Sequence, residues 1–588
     1  MFKHVKEKNE NRNGSTPEMW WKEAVVYQIY PRSFKDSNGD GIGDLEGIIS
    51  KLDYVKSLHV DVIWLNPIFL SPNADNGYDI SDYYDIMKDC GTMEDFDKLL
   101  REVHNRGLKL ILDLVVNHTS DEHPWFQEAR KSRENPYHDY YLWWPAEAGD
   151  PPYRPSYFDE EGTAWMYNKP TDSYYLHYFS KKQPDLNWEN PEVRREIFDM
   201  MKFWFDKGID GVRMDSISLI AKDPTFPHID TKQYPDLYEY YATGPHLHGY
   251  LHEMNREVLS HYNCMTVGEG SAVKAKDVAK FVNPERKELD MLYHFDAAWV
   301  RNTSLPDSPD SGIDYSLIEL KKMFTLWDKA VENGWPAIYL GNHDQPRMVS
   351  RFGNDSPKFR AVSAKMLATF LLTMRGTPFW YAGDEIGMCN MKFDRIDDYN
   401  DIDTRNRYIR AEREGEDMEA FLEEHNQIAR DNARTPFQWD DSKNAGFTTG
   451  TPWLKVNPNY PTVNVETEEH KKDSVLNYFK EAMDFRKNNK SLVYGNYSLL
   501  DADNTQVFTY LREEGMFHYL IALNFSPKTA TTTPGIDIEE AEIVLDNYKD
   551  KATIERADEI VLRPFEAVVL KLKHPEYVSY IDSLDLME

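Results

Sequence analysis

The chain is short of cysteine. Only Cys90, Cys264 and Cys389 occur in its 588 residues, an odd number at wide spacings that excludes a disulfide framework and offers no zinc pattern. Long hydrophobic runs are missing as well: no window reaches the ~20 apolar residues that a bilayer-spanning helix needs. Positive charge is scarce, with 68 Lys and Arg against 100 Asp and Glu and a formal net charge of -32. Such a surface repels nucleic acid and anionic membranes, so neither is expected as a partner, and the acidity reads as solubility. The opening "MFKHVKEKNENRNGSTPEM" has no apolar signal core and reads as a disordered leader over 1–18. The expected location is therefore cytoplasmic, or periplasmic or secreted were a signal peptide already removed. Three chemistries lack their marks too: there is no GxSxG elbow, no HExxH pair and no phosphate-cradling P-loop.

What is present is order. Hydrophobic residues make up 41% and aromatics 13%, enough for a large core and more than one domain. Eight apolar runs alternate with amphipathic stretches: 25–34, 61–69, 108–118, 208–218, 264–270, 291–297, 336–344 and 377–387. Helical patterns between them carry their own punctuation. Thr92 and Gly107 bracket 92–107, and Asn190, Pro191 and Gly208 bracket 190–208. Strand-then-helix repeated eight times predicts an α/β fold, a (β/α)8 TIM barrel. The stretch from about Thr119 to Lys182 is too long for one crossover helix and reads as an inserted domain. A charged helical insertion is expected near 392–430. After 491, short alternating runs such as "FHYLIALNF" predict an antiparallel β-sandwich. The expected organisation is a barrel over 19–118 and 183–490, an inserted domain over 119–182 and a C-terminal domain over 491–588.

Polar residues fall at the ends of these runs: Asn117-His118, Arg213 with Asp215, Glu269, and His343-Asp344. In a parallel barrel those ends share one rim, where active sites are built. Arg213 and Asp215, two apart in a strand, face the same side. A pair of carboxylates with no metal or serine motif suits glycoside cleavage with retention, in which one acid attacks, the other protonates the leaving oxygen, and the two carboxyl groups stand about 5–5.5 Å apart.

"DLVVNH" (113–118), "GVRMD" (211–215), "VGEG" (267–270) and "NHD" (342–344) resemble the four signature regions of the α-amylase superfamily, glycoside hydrolase family thirteen. "QPDLNWENP" (183–191) and "RDNARTPFQWD" (430–440) narrow the resemblance to its α-glucosidase and oligo-1,6-glucosidase branch, with sucrose isomerases as relatives. The resemblance implies a retaining exo-α-glucosidase acting on short oligosaccharides or disaccharides. Asp215 would be the nucleophile, Glu269 the acid/base and Asp344 the transition-state stabiliser. It implies that Arg213 keeps Asp215 ionised, since a nearby cation lowers a carboxylate pKa, while Glu269 is tuned upward. His118 and His343 would donate to the bound glucose, Asp79 would hold its far hydroxyls, and Tyr78 would stack on its face. Phe179 joins the implied substrate-binding set. An arginine of "RDNAR", Arg430 in preference to Arg434, would pair with Asp79.

The loop "DSNGDGIGD" offers oxygens from Asp36, Asn38, Asp40, the Ile42 carbonyl and Asp44, a set suited to a hard cation, Ca2+ or Mg2+. Relatives of this branch carry a structural ion there; an ion-free cluster of Asx turns is the other reading. Ser216, after the expected nucleophile, leans the linkage preference to α-1,4 bonds or short disaccharides. Gly270 and Ser271 are expected to leave room beside the leaving sugar. Alternatives on the same scaffold are a transglucosylase or sucrose isomerase, which the single Arg301 after the sixth run disfavours, and a non-catalytic transporter heavy chain. Either a monomer or a dimer fits.

Overall fold

Eight parallel strands curl into a nearly closed barrel in the computed structural model, which describes residues 19–573 apart from 160, 231, 235–236, 243, 549 and 551–557. The leader read over 1–18 and the stretch 574–588 lie outside the described residues. The strands are β1 (Val26–Ile29), β2 (Val62–Leu65), β3 (Lys109–Val115), β4 (Gly211–Asp215), β5 (Met265–Glu269), β6 (Met291–Tyr293), β7 (Ala337–Ile338) and β8 (Thr377–Tyr381). They follow one another around the sheet in chain order, from β7 through β8 and β1 to β6. Across the seam between β6 and β7, the Tyr339 hydroxyl donates to the His294 carbonyl at 2.7 Å.

Every strand is shorter than the apolar run that announced it. The first run was read through Phe34, but Pro31 opens a short helix, Pro31–Phe34, where a missing N–H costs nothing. The seventh shrinks to two residues, so His343 and Asp344 sit on a loop beyond β7 rather than at its end. At the rim the chain leaves the ladder and bends inward, and apolarity alone does not mark that point.

Alternation sorts the strand residues. Val26, Val62, Ile111, Met265, Val267, Met291 and Phe379 share one apolar cluster that fills the barrel. Leu110, Leu112, Leu114, Val212 and Leu292 belong to the larger cluster between strands and helices. Two residues beyond Ile111 on the inner face stands Asp113; beyond Gly211 stand Arg213 and Asp215. The polar rim is thus the top layer of the same inward-facing stack.

Between β3 and β4 lies a three-stranded antiparallel sheet of Trp143–Pro145, Trp165–Asn168 and Ser173–Leu176. The return helix Pro191–Lys207 is capped by the Asn190 side chain and ends on Gly208 at φ 111°, a conformation that favours glycine. After β8, the helices Ile402–Glu414 and Met418–Ile428 occupy the second insertion. A five-stranded antiparallel sheet and a two-stranded one follow.

Two buried arginines, Arg486 on the helix Val475–Asn488 and Arg512 on a strand of that C-terminal sheet, gather the backbone before β8 and the segment that leads into the sheet. Arg486 donates to the carbonyls of Leu372, Met374, Gly376 and Leu492. Arg512 donates to those of Thr373, Leu492, Val493 and Gly495. The backbone just before β8 therefore finds its hydrogen-bond donors in side chains rather than in water.

Candidate active site

One guanidinium organises the rim. Arg213 Nη1 donates to Asp113 Oδ1 at 2.7 Å and to Asp215 Oδ1 at 2.8 Å, Nη2 donates to Glu269 Oε2, and Nε donates to the Tyr293 hydroxyl at 2.7 Å. The pairing registers explain the meeting: Asp113 lies opposite Arg213 across β3 and β4, and Val267 lies opposite Arg213 across β4 and β5. Side-chain exposure separates the acids by role. Asp113 is at 0%, Asp215 at 9%, Glu269 at 8% and Asp344 at 25%, so the last three are the ones a substrate can reach.

Three carboxylates around one cation cannot all ionise cheaply. Burial, then the Glu269 carboxylate, pushes Asp215 well above the usual carboxylate range, against the pull of Arg213. The expectation that Arg213 keeps Asp215 depressed is therefore corrected, because the guanidinium is divided among three acids. Burial also raises Asp113 to about 6 although Arg213 and the Tyr78 hydroxyl oppose it. Glu269 Oε1 accepts from Ser271 Oγ at 2.7 Å.

Asp344 lies across the pocket under a different field. Its Oδ1 accepts from Arg430 Nη1 at 3.2 Å and from Arg434 Nη2 at 2.9 Å, and its Oδ2 lies 3.1 Å from His343 Nε2. Burial alone would raise this acid; the His343 ring and the two guanidiniums reverse that and hold it well below the usual range. Both arginines of "RDNAR" thus serve one carboxylate.

The expected pairing of Arg430 with Asp79 is not found. Asp79 is fully buried, and its oxygens accept from the Ala74 and Asp75 amides and from Ser71 Oγ; burial raises it to about 7. With those oxygens occupied, Arg430 turns to Asp75 at 3.2 Å and to Asp401 at 2.5 Å. The Phe158 ring lies under the Arg430 guanidinium at 4.6 Å.

A hydrogen-bond chain of single polarity runs beneath the pocket. Gln28 Nε2 lies 2.8 Å from His343 Nδ1, His343 Nε2 lies 2.6 Å from the Tyr78 hydroxyl, and that hydroxyl donates to Asp113 Oδ2 at 2.9 Å. An amide NH2 can only donate, so Nδ1 of His343 accepts and Nε2 carries the hydrogen. The Tyr78 ring stacks on His343 at 5.2 Å and 7°. His118 is buried, with Nε2 at 3.1 Å from the Tyr78 carbonyl, and Phe179 covers it at 5.2 Å between ring centroids.

One local reading changes with the coordinates. Gly270 opens no space, since a Cβ there would fall 2.6 Å from Leu292; the glycine lets β5 approach β6. Ser216, just after Asp215, adopts φ 43°, a left-handed conformation that a non-glycine residue holds only under constraint.

The loop 36–44 is built of side chain to backbone bonds. Asp36 accepts from the amides of Asn38, Gly39 and Gly41, Asn38 from Asp40, Asp40 from Ile42, and Asp44 from Ser37 and Gly47. Among the described residues no three Asp, Glu, His or Cys side chains gather as a metal-holding group. The loop is therefore not a ready-made cage, although each carboxylate keeps unused lone pairs.

Sequence reasoning did not single out Asp113, Tyr293, Asp75 or Asp401. Asp113 and Tyr293 had a signal: each stands two residues past an inward apolar residue, Ile111 or Met291. Asp75 and Asp401 had none, being loop acids like many others.

Comparison with known proteins matches the Alpha amylase, catalytic domain family to residues 28–495. The oligo-1,6-glucosidase of Parageobacillus thermoglucosidasius is 52% identical over 95% of this chain and 100% of its own. Among solved structures, the isomaltulose synthase PalI from Klebsiella sp. LX3 is 44% identical, with a TM-score of 0.89 over 94% of this chain and 99% of that one. The trehalulose synthase MutB from Pseudomonas mesoacidophila MX-45 is 43% identical, also with a TM-score of 0.89, over 95% and 100%. With its barrel, its rim of acids and these likenesses, the chain belongs to the α-amylase family of glycoside hydrolases, in the α-glucosidase and oligo-1,6-glucosidase branch.

Proposed function

We propose that the protein removes terminal non-reducing α-linked glucose from short oligosaccharides, with retention, through a covalent glucosyl intermediate. The observation that carries this reading is that Asp215 and Glu269 share the Arg213 guanidinium. Acids on neighbouring nitrogens of one planar group fit the closer class of carboxylate spacing, about 5–5.5 Å, that retention uses. Asp215 attacks the anomeric carbon while Glu269 gives its proton to the leaving oxygen; Glu269 then takes a proton from water, which releases glucose. Ser271 donates to Glu269 Oε1, which leaves Oε2 to face the leaving oxygen once substrate displaces the Arg213 contact. Asp344, held ionised, hydrogen-bonds the sugar hydroxyls more strongly as the ring gains positive charge. His118, His343, Tyr78 and Phe179 form the walls, and Arg430 braces the closed end with Asp79 beneath it.

The name of the Parageobacillus relative favours α-1,6 bonds, and we propose isomaltose-type substrates first, ahead of the maltose-type preference that Ser216 suggests. Transglucosylation is the second reading, favoured by the synthases among the structural neighbours; it differs only in which hydroxyl resolves the intermediate. For the loop 36–44 we propose a structural Ca2+ or Mg2+ held by Asp36, Asn38, Asp40, Asp44 and the Ile42 carbonyl, remote from the chemistry.

The test is a panel of isomaltose, maltose, sucrose, trehalose and p-nitrophenyl α-glucoside, with Asp215→Asn beside the wild type. Loss of turnover by about 10,000-fold or more in a folded Asp215→Asn is expected; turnover near wild type removes the proposed nucleophile.

A further inference from the structure

Lys222 lies seven residues beyond Asp215, on the loop after β4, and it is buried. Its ammonium donates to Asn117 Oδ1 at 2.5 Å and lies 3.4 Å from Asp185 Oδ2. It touches none of the acids at the rim. An ammonium has donors and no acceptor, so only the oxygen end of the Asn117 amide can face it. The NH2 end is thereby turned the other way, where it lies 3.1 Å from His118 Nδ1 and 3.3 Å from Asp185 Oδ1. An NH2 can only donate, so His118 Nδ1 must be a bare acceptor. A neutral imidazole carries one hydrogen, and here it is left on Nε2. That nitrogen points at the Tyr78 carbonyl, 3.1 Å away. The Gln183 NH2 also approaches this nitrogen, at 3.2 Å, but it already donates to Asp75 and its Oε1 is held by the Ser180 amide, whereas the Tyr78 carbonyl can only accept, so two of the ring's three polar neighbours place the hydrogen on Nε2.

We propose that Lys222 is a positioning residue that sets the tautomer of His118. By fixing the Asn117 amide it keeps the imidazole hydrogen on Nε2, where the Tyr78 carbonyl holds it in the free protein and a sugar hydroxyl would come to share it. The proposal rests on the reading of His118 as a glucose-binding residue. Without the ammonium the Asn117 amide is free to turn over, offer its oxygen to Nδ1–H and leave Nε2 as an acceptor. The same nitrogen would then face the Tyr78 carbonyl lone pair to lone pair. The charge does a second service. Burial holds the His118 ring neutral, with its pKa lowered to about 3, and the nearby Lys222 charge adds to that.

Lys222→Met alone leaves Asp185 buried without a partner, so it is paired with a Lys222→Met/Asp185→Asn double variant that keeps the site neutral. The first measurement is nitrogen NMR of the ring in histidine-labelled protein, with His118→Gln used to assign its signal. The wild type should show a single Nε2–H tautomer at His118, and both variants a mixture with Nδ1–H. An Nδ1–H ring in the wild type overturns the proposal without any variant, as does an unchanged tautomer in the folded double variant. The second measurement is kcat/KM on p-nitrophenyl α-glucoside. The double variant should lose about 10- to 100-fold, and the same changes in a His118→Gln background less than about threefold more. Full multiplication of the two losses would show that Lys222 does not act through His118. A failure of the glucosidase reading is distinguishable, since the wild type would then lack turnover while the NMR arm still reports the ring.

Discussion

Replacing Arg213 by Lys keeps the charge and removes the fork. In the wild type the guanidinium makes four bonds, to Asp113, Asp215, Glu269 and the Tyr293 hydroxyl. A lysine ammonium is a single point with three donors on a flexible stem, and it cannot reach acids on both sides of β4 at once. Taking two charge-assisted bonds as lost, at about 1.5–3 kcal/mol each, the variant forfeits about 3–6 kcal/mol of organisation at the reacting centre. If that loss is felt in the transition state, kcat/KM falls by about 150- to 25,000-fold. The pH profile carries a second signature. The guanidinium charge is the main force opposing the upward shift of Asp215; an ammonium that cannot touch all the acids at once opposes it less, so that acid rises further and the acid limb of kcat/KM moves to higher pH. The assay is hydrolysis of p-nitrophenyl α-glucoside across roughly pH 4–9, with thermal unfolding of the same samples. A folded Arg213→Lys within about tenfold of the wild type, and with an unmoved acid limb, would refute the idea that one fork arranges both acids.

Asp215 and Asp344 should answer pH in opposite senses. Asp215 is raised in the folded protein, so its contribution to stability is full below the unfolded value of about 4 and is lost as pH rises through the folded one; Asp215→Asn should therefore gain melting temperature over the wild type near neutral pH and lose that gain in acid. Asp344 is depressed, so its contribution is present above about pH 4 and fades as pH falls, and the deficit of Asp344→Asn should close in acid; melting curves across pH check both signs. At Ser216, with φ 43°, Val should destabilise by about 1–2 kcal/mol because a β-branched residue suits that conformation poorly, whereas Gly should not; chemical unfolding of the pair decides it. For the loop 36–44, a melting temperature that rises with Ca2+ or Mg2+ after chelation, and an Asp36→Asn/Asp40→Asn variant that no longer responds, is expected; the same response in both would disprove the seat.

Much of this arrangement was open to reading in the chain. The eight strands announce themselves because a parallel barrel buries both faces and so demands apolar runs. Arg213 and Asp215 were visible as a same-face pair by the period of two. What stayed hidden was choice among partners. Nothing local distinguishes Asp75 from Asp79 as the acid that Arg430 meets, because the decision belongs to the amides that occupy Asp79. Asp401 comes from the insertion after β8, and its approach to Arg430 depends on how the two helices of that insertion pack. The direction of the Asp215 shift was misjudged for a related reason: a single nearby cation was counted, whereas the competing acids come from β3 and β5. Strand ends were overdrawn wherever the rim turns inward, as at Pro31 and beyond Ile338.

The clasp of Arg486 and Arg512 bears on how the protein can be cut. Shortening it before residue 496 removes Arg512, and the carbonyls of Thr373 and Val493 lose their partner at the threshold of the strand that carries Tyr381. The terminal module is thus a keystone rather than a trailing ornament, and minimal versions designed by trimming it should fail at the closing strand while the distant pocket residues remain chemically intact.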